Sequence, residues 1–292
     1  MGKITKSRKR IATRLVMLIF QTRKCIVFGK AAKESACFTK AIPPPKTLYR
    51  LSRPAADLNG HHFPVDNAIR REKFAYIRIT APDGTETEIA LRNKKALHSY
   101  LVHYDEPGVY ALAAGTVPGF FAMYIDKSRR KRHPLNPLKT FSAKAEKILS
   151  SMRSSQWAKS YVLCEKASGP FPARIGLPME LVPGTDLFAL KPGDRLELQV
   201  YNEGNPYEGS GFWDATYTGF STEAEGMYIQ RTAASTGRFV VPIDVAGRWF
   251  VRFFNKTPAP EEHRDAFLRE KRTATLVFEV RNPRKRPELE GH

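Results

Sequence analysis

The residues best suited to chemistry in this chain are histidines that stand near other ligand-type side chains. The stretch GHHFPVDN, which begins at Gly60, has two adjacent histidines, and no histidine precedes it. Further along, residues 103–105 read HYD, and on a strand the histidine and the aspartate would point to the same face. Imidazole nitrogen with a supplementary carboxylate suits a divalent transition metal. The predicted metal ligands are His61, His62, His103 and Asp105.

Only one of the two adjacent histidines is expected to reach the other two ligands, because neighbouring residues of a strand point to opposite faces. A plainer interpretation stays open beside the metal site. Seven histidines in 292 residues are unremarkable. Each of them could equally be a surface or hydrogen-bonded residue.

The sequence contains no motif of a known catalytic type. There is no GxSxG elbow, no HExxH and no cysteine–histidine signature. The acid pairs Glu223/Glu225 and Glu261/Glu262 lie in loop-like sequence, where solvated carboxylates are expected. We therefore expect a protein without enzymatic activity.

A dense basic run, KSRRKRH, occupies residues 127–133. Such a run could neutralise phosphates or mimic a nuclear signal, which would make this a nucleic-acid-binding basic protein. However, the run follows a predicted strand, precedes PLNP and has no interleaved aromatic residue on which bases could stack. A solvated loop is the simpler interpretation, and we expect no nucleic-acid partner.

A glycine-rich loop, NEGNPYEGSGFW, offers a third kind of site, in which aromatic rings bind a carbohydrate or a protein. The candidate ligand-binding residues of this alternative are Tyr207, Phe212, Trp213 and Tyr217. In the competing interpretation the loop only caps a β-sandwich, and Trp213 packs inside it.

These candidates must be held by folded elements, and the length of the chain favours about two domains. A hydrophobic content of 42% with 11% aromatic residues is enough for a sizeable core. The net charge of +19 is unevenly distributed, since residues 1–60 contain 14 Lys and Arg against two acids. Most of the basic excess therefore precedes the region that is predicted to fold.

Residues 1–59 show no sustained periodicity, and we expect them to be disordered or not the native start of the protein. LVMLIF follows a basic stretch but is too short for a good secretory signal, so we interpret it as a degraded signal. No run approaches the roughly 20 apolar residues of a membrane-spanning helix. Cys164 is the one cysteine of three beyond this region, and we expect it to be a packed core thiol.

From Phe74 onward the pattern is that of short strands. FAYIRIT and TEIAL flank a turn with Asp83-Gly84, which predicts a hairpin, and SYLVHYD, GVYALAAG and FFAMYID follow. The period then changes in residues 141–165, for which we predict a helical insertion. One face of that helix would carry Phe141, Ala145, Ile148, Met152 and Trp157.

The strands resume at Met179 with MELVP, DRLELQVYN, GFWDATYTGF, GMYIQRT, GRFVVPI, GRWFVRFFN and TATLVFEV. Seven short strands in about 100 residues are typical of an immunoglobulin-like sandwich. The predicted fold class is therefore all-β, with two antiparallel β-sandwich-like domains, the second immunoglobulin-like, and a short helical insertion. The predicted divisions are the segment 1–59, a first β domain 60–168, a second 169–281 and a polar tail 282–292.

Four short motifs carry a family resemblance: GHHFP from Gly60, GLPMELVP from Gly176, PGD from Pro192 and GRW from Gly247. On these motifs, residues 60–281 resemble the domain of unknown function 4198 family, which is related to periplasmic components of nickel and cobalt uptake. Each motif also has a structural explanation. The PGD turn reverses the chain, Glu180 can pair with a basic residue at a sheet edge, and Trp249 fills a sandwich core.

The resemblance implies a secreted or periplasmic binding protein without bond chemistry of its own. Such a protein would hold a divalent ion, nickel or cobalt, or a small ligand, and pass it to a membrane transport component. Family members have a clean signal peptide followed closely by a histidine-bearing mature start. Residues 1–59 show neither, so we expect that the signal peptide is not intact in this sequence.

Overall fold

The computed structural model describes residues 11–20, 25–30, 69–93, 98–167, 169–221, 223 and 226–282. Within these residues the fold is built from strands, and the four helical segments are all three-residue 3-10 turns. The prediction of an all-β fold class is confirmed. No helix in the described part of the chain has the length and apolar character that crossing a membrane requires.

The described strands are numbered here in chain order. The strands of the first half are β1 (Ile11–Phe20), β2 (Cys25–Lys30), β3 (Phe74–Thr80), β4 (Glu86–Glu88), β5 (Ser99–Tyr104), β6 (Gly108–Thr116), β7 (Gly119–Asp126), β8 (Lys131–Arg132) and β9 (Ala145–Cys164). The strands of the second half are β10 (Met179–Pro183), β11 (Arg195–Asn202), β12 (Asn205–Pro206), β13 (Gly211–Tyr217), β14 (Ile229–Ala234), β15 (Arg238–Pro242), β16 (Gly247–Pro258) and β17 (Arg269–Val280). The 3-10 turns are Arg71–Lys73, Leu138–Thr140, Ser142–Lys144 and Glu261–His263.

Each of the short segments predicted as strands overlaps a strand of the structure. The predicted hairpin is formed by β3 and β4, which pair in antiparallel orientation. Its turn needs Gly84, whose φ of +87° lies in the left-handed region that side chains disfavour. Local alternation and turn chemistry were therefore sufficient to find these elements.

Ten strands form one large sheet, which follows the order β14-β13-β16-β17-β9-β6-β3-β4 and adds β7 and β8 beside β9. The central strand is β9, which pairs with β7 through its first half and with β6 through its second half. On its other edge β9 runs parallel to β17. Strands from both sides of residue 168, the predicted domain boundary, thus belong to one sheet.

The predicted helix at 141–165 is wrong, because residues 145–164 form the 20-residue strand β9. Both faces of its second half are buried, so the strand shows no alternation of apolar and polar residues that would reveal it. β9 also holds five serines, whose hydroxyls compete for backbone hydrogen bonds and disfavour helix interiors. Hydrogen bonding on both edges of β9 therefore decides its conformation.

The large sheet separates two hydrophobic cores. Alternate residues of β6 point to opposite sides, with Val109 and Ala111 in one core and Tyr110 and Leu112 in the other. A second sheet, formed by β10, β11, β12 and β15, covers the first core. Because two sheets face each other across that core, the arrangement is sandwich-like.

Two strands are described within the segment 1–59. β1 pairs with β2 and with β5 in antiparallel orientation, and β2 also lies against β9 and β17. These two strands do not test whether the segment is disordered or is not the native start of the protein. The rest of the segment lies outside the described residues, so the prediction stays a prediction there.

Candidate functional site

His103 and Asp105 lie on the exposed side of β5 and of the residue that follows it. Val102 and Tyr104 are buried, whereas His103 and Asp105 are exposed. This alternation is that of a strand with one face on the core, so the two predicted ligands point away from the core together. Exposure of both side chains on one side of the chain is a precondition for chelation by both residues.

Tyr110 positions the backbone on both sides of Asp105. Its ring packs edge-on against the ring of Tyr104, with ring centroids 4.8 Å apart. Its hydroxyl accepts a hydrogen bond from the Glu106 N–H at 3.0 Å and donates to the Glu106 carbonyl at 3.1 Å. The residues before and after Asp105 are therefore both held by one buried side chain, so the backbone that carries the carboxylate is held in place.

The third ligand of the predicted site is not among the described residues. His61 and His62 lie outside the described ranges, so their place beside His103 stays a prediction. Within the described ranges, no group of three or more His, Cys, Asp and Glu residues is arranged to hold a metal ion. The described part of the chain thus contributes two of the predicted ligands, His103 and Asp105.

His98 is a buried histidine whose role the sequence did not reveal. Its Nε2 lies 3.1 Å from the carbonyl of Ile69, and its Nδ1 lies 2.8 Å from the hydroxyl of Tyr100. A carbonyl only accepts, so Nε2 carries the proton and Nδ1 accepts from the tyrosine. Both ring nitrogens are used, so His98 links Tyr100 of β5 to the backbone at Ile69, and its role is structural.

The most deeply buried ion pair of the described residues joins Lys159 on β9 to Glu180 on β10, each with 1% of its side chain exposed. Lys159 Nζ donates to Glu180 Oε1 and to the carbonyl of Ala173, both at 2.6 Å. The carboxylate also accepts three consecutive backbone N–H groups, those of residues 175, 176 and 177, at 2.8 to 3.2 Å. The pair therefore clamps the segment 173–177 onto the sandwich.

Burial dominates the electrostatics of this clamp. It lowers the pKa of Lys159 from 10.5 to about 8, and the Glu180 carboxylate opposes that decrease. Burial also raises the pKa of Tyr161 well above its usual value. The Tyr161 hydroxyl donates towards the carbonyls of Pro172 and Ala173 at 3.0 and 3.1 Å, so it holds the same segment. A basic partner for Glu180 is the predicted one, but no local pattern in the sequence points to Lys159, which is 21 residues away.

A second buried ion pair joins Asp214 on β13 to Arg252 on β16. The Arg252 Nε donates to Asp214 Oδ1 at 2.8 Å, and a second guanidinium nitrogen donates to the other carboxylate oxygen. The nearby Phe254 ring has the Lys271 ammonium 4.6 Å from its centroid and the Arg231 guanidinium 5.4 Å from it. All these groups lie on strands of the large sheet.

The predicted aromatic site does not form one patch. Trp213 is buried in the core and stacks on Phe239, with ring centroids 4.6 Å apart. This agrees with the competing interpretation, in which Trp213 packs inside the sandwich. Tyr207 donates its hydroxyl hydrogen to the Ser210 carbonyl within the loop. Phe212 is 44% exposed but, being next to Trp213 on β13, points to the other face of the sheet.

Tyr217 instead belongs to an aromatic cluster that the sequence did not suggest. Its ring lies 5.6 Å from Phe220, 5.2 Å from Tyr228 and 5.2 Å from Trp249. The Tyr228 hydroxyl donates to Asp244, and this bond raises the pKa of Tyr228. Phe220 is 40% exposed, so the cluster presents an aromatic ring next to a carboxylate.

The motifs singled out in the sequence have structural roles here. Trp249 is fully buried and donates its indole N–H to the Val245 carbonyl at 3.0 Å. Gly193 has a φ of +99°, and the Asp194 carboxylate accepts the Lys191 N–H at 2.8 Å, which closes the PGD turn. These residues shape the sandwich.

One family model matches the chain, and its description is "Domain of unknown function (DUF4198)". The match covers residues 56–257, which is about two thirds of the 292 residues. It includes the predicted ligands, the clamp of Lys159 and Glu180, and the PGD and GRW motifs. No curated protein matches the chain.

Proposed function

The chain belongs to the DUF4198 family, and we propose that it is a non-enzymatic binding protein of the cell envelope that holds a divalent transition metal. The proposed ion is nickel or cobalt, and the proposed recipient is a membrane transport component. The observation that carries the proposal is the shared exposed side of His103 and Asp105 beside a backbone that Tyr110 fixes. A preformed pair of ligands lowers the entropy lost when a metal binds.

The role of each residue follows from its chemistry. His103 supplies imidazole nitrogen, which nickel and cobalt favour, and Asp105 supplies the negative charge that complements a divalent ion. His61 or His62 supplies a third ligand, and the remaining position is open to water or to the cargo's next carrier. An open position suits a protein that passes its metal on, whereas a closed four-ligand site would retain it.

We predict that replacing His103 with alanine abolishes nickel binding, because the exposed pair loses its nitrogen ligand. Isothermal titration calorimetry of the chain with nickel, cobalt, zinc and copper measures this directly. The matched control is His263→Ala: that histidine is also exposed, but its ring lies against Phe267 and it is not one of the predicted ligands. Binding of nickel by the His103 variant with unchanged affinity would contradict the proposal.

A second candidate function is supported by the aromatic cluster of Tyr217, Phe220, Tyr228 and Trp249. An exposed ring beside the Asp244 carboxylate resembles the combination with which proteins bind sugars, a flat apolar face together with a hydrogen-bond acceptor. If the protein binds a carbohydrate, Phe220→Ala should lose that binding while nickel binding is unchanged. Phe212→Ala is the control, because Phe212 is similarly exposed but lies outside the cluster.

A further inference from the structure

The turn between β7 and β8 is the most densely charged exposed feature of the described chain. Residues 127–133 are all exposed, and five of these seven residues are Lys or Arg. Of the five, only Arg132 is in a salt bridge within the described residues, with its Nε 2.8 Å from Asp126. The basic tip is defined here as Lys127, Arg129, Arg130 and Lys131, together with Lys147 of β9.

Asp126 gives the tip a defined shape. Its Oδ1 accepts the N–H groups of Ser128 and Arg130, both at 2.9 Å. The backbone of Asp126 bonds to Arg129 and Arg130 as well, at 2.8 and 2.9 Å. These bonds also lower the pKa of Asp126, so the carboxylate stays ionised and keeps the turn closed. The cations are therefore displayed from an ordered turn and not from a loose loop.

Arg129 has a backbone conformation that arginine disfavours. Its φ of +59° is in the left-handed region, where glycine or asparagine is the usual choice. An arginine gains nothing in the fold at this position, because its side chain is exposed and unpaired among the described residues. A cation kept at a strained backbone position points to a use for its charge.

The strand register adds a further cation to the tip. Ile125 lies opposite Lys131 on one side and opposite Lys147 on the other. Residues directly opposite one another point to the same face, so the two lysines flank Ile125 at about 10 Å from each other. Two like charges on one face of a sheet destabilise the fold, whereas an anionic partner would be attracted by both of them.

An exposed apolar side chain accompanies these charges. Leu135 is 64% exposed, the highest value among the large hydrophobic residues of the described chain. It follows Pro134, whose carbonyl accepts the Ala122 N–H of β7 at 3.0 Å, so this segment runs beside the same strand. Cations and an exposed leucine beside the same strand suit the interface of a lipid bilayer, where phosphates lie close to acyl chains.

We propose that the basic tip and Leu135 form a docking surface for the anionic headgroups of a lipid bilayer. The cations contact lipid phosphates, and Leu135 enters the boundary between the headgroups and the acyl chains. A duplex nucleic acid would use the cations equally, but it would offer Leu135 no apolar environment. The tip also lacks the aromatic residues on which single-stranded bases stack. This surface does not depend on the proposed metal site.

The test is vesicle flotation of the full chain in the presence of EDTA, with vesicles of phosphatidylcholine that contain about one third phosphatidylglycerol. The tip variant is Lys127→Gln/Arg130→Gln/Lys131→Gln. The control variant, Lys166→Gln/Lys191→Gln/Arg195→Gln, removes the same number of exposed cations elsewhere. Each cation at a membrane surface contributes about fivefold in affinity, so the tip variant should bind about 100-fold more weakly and the control variant nearly as well as the wild type.

Three further measurements separate the possible outcomes. Leu135→Ser should weaken vesicle binding several-fold and leave binding to a short DNA duplex unchanged. Binding should fall steeply between about 0.05 and about 0.5 M salt. Equal losses in the tip and control variants, equal binding to pure phosphatidylcholine, or binding to the DNA duplex without binding to vesicles would each overturn the proposal. Unfolding midpoints of all variants show whether they are folded.

Discussion

Among single residues, Lys159 and Glu180 are expected to matter most for stability, because both charges are almost fully buried. We predict that Lys159→Met lowers the free energy of unfolding by about 3–5 kcal/mol, since it leaves the Glu180 carboxylate buried without a cation. Urea denaturation measures this change. The double variant Lys159→Met/Glu180→Leu should be less destabilised than the sum of the single variants, because it removes both buried charges together.

The matched control is an exposed ion pair. Lys139 Nζ lies 3.3 Å from Asp265, and both side chains are more than half exposed. Water and salt screen such pairs, so Lys139→Met should leave the unfolding midpoint unchanged within error. If the two lysine variants were equally stable, burial would not be the reason for the role of Lys159.

The lowered pKa of Lys159 predicts how stability depends on pH. The folded-state pKa is about 8 and the ordinary value is 10.5, so between these values the unfolded chain binds more protons than the folded chain. The free energy of unfolding that depends on this residue therefore increases as pH rises from 8 towards 10. On lowering the pH, this contribution is lost by the time the pH has fallen through 8. Above pH 10 the raised pKa of Tyr161 acts in the opposite direction.

Urea denaturation at several pH values between 7 and 10 measures this effect. The difference in stability between the wild type and Lys159→Met should change with pH in favour of the wild type. A difference that stays constant across this range would contradict the assigned pKa.

At the scale of elements, we predict that Arg129 makes the turn between β7 and β8 less stable than a glycine at the same position would. Arg129→Gly should leave the protein equally stable or make it more stable by up to about 1 kcal/mol, because glycine adopts a φ of +59° without steric cost. Thermal unfolding measures the change. Arg130→Gly is the control and should not stabilise, since no left-handed φ is found at that residue. A clear loss of stability in the Arg129 variant would mean that the arginine side chain supports the fold.

Local sequence patterns predict some elements of this fold but not others. The hairpin of β3 and β4 was predictable because its turn chemistry and its alternation are both local. β9 was not, because its second half is buried on both faces and pairs with β6, 42 to 56 residues earlier in the chain, and with β17, 117 residues later. Apolar residues at helical spacing are compatible with a strand when each of them meets a different neighbouring element.

For the whole molecule, we predict a single cooperative unfolding transition. β6 and β9 contribute residues to both hydrophobic cores, with Val109 in one and Leu112 in the other, so neither core can open without the other. Scanning calorimetry should give a calorimetric enthalpy equal to the van't Hoff enthalpy. Two separate transitions would instead indicate that the chain divides near residue 168 into independent domains.

The sequence by itself determined the all-β class, the positions of the short strands and the buried place of Trp249. These features depend on residues that are neighbours in the chain, where alternation and turn chemistry act directly. The tertiary structure alone decided the conformation of β9, the pairing of Lys159 with Glu180 and the clustering of Tyr217 with Tyr228 and Trp249. Each of these depends on which distant strand becomes a neighbour, and that choice is made by hydrogen bonding and burial summed over the whole sheet.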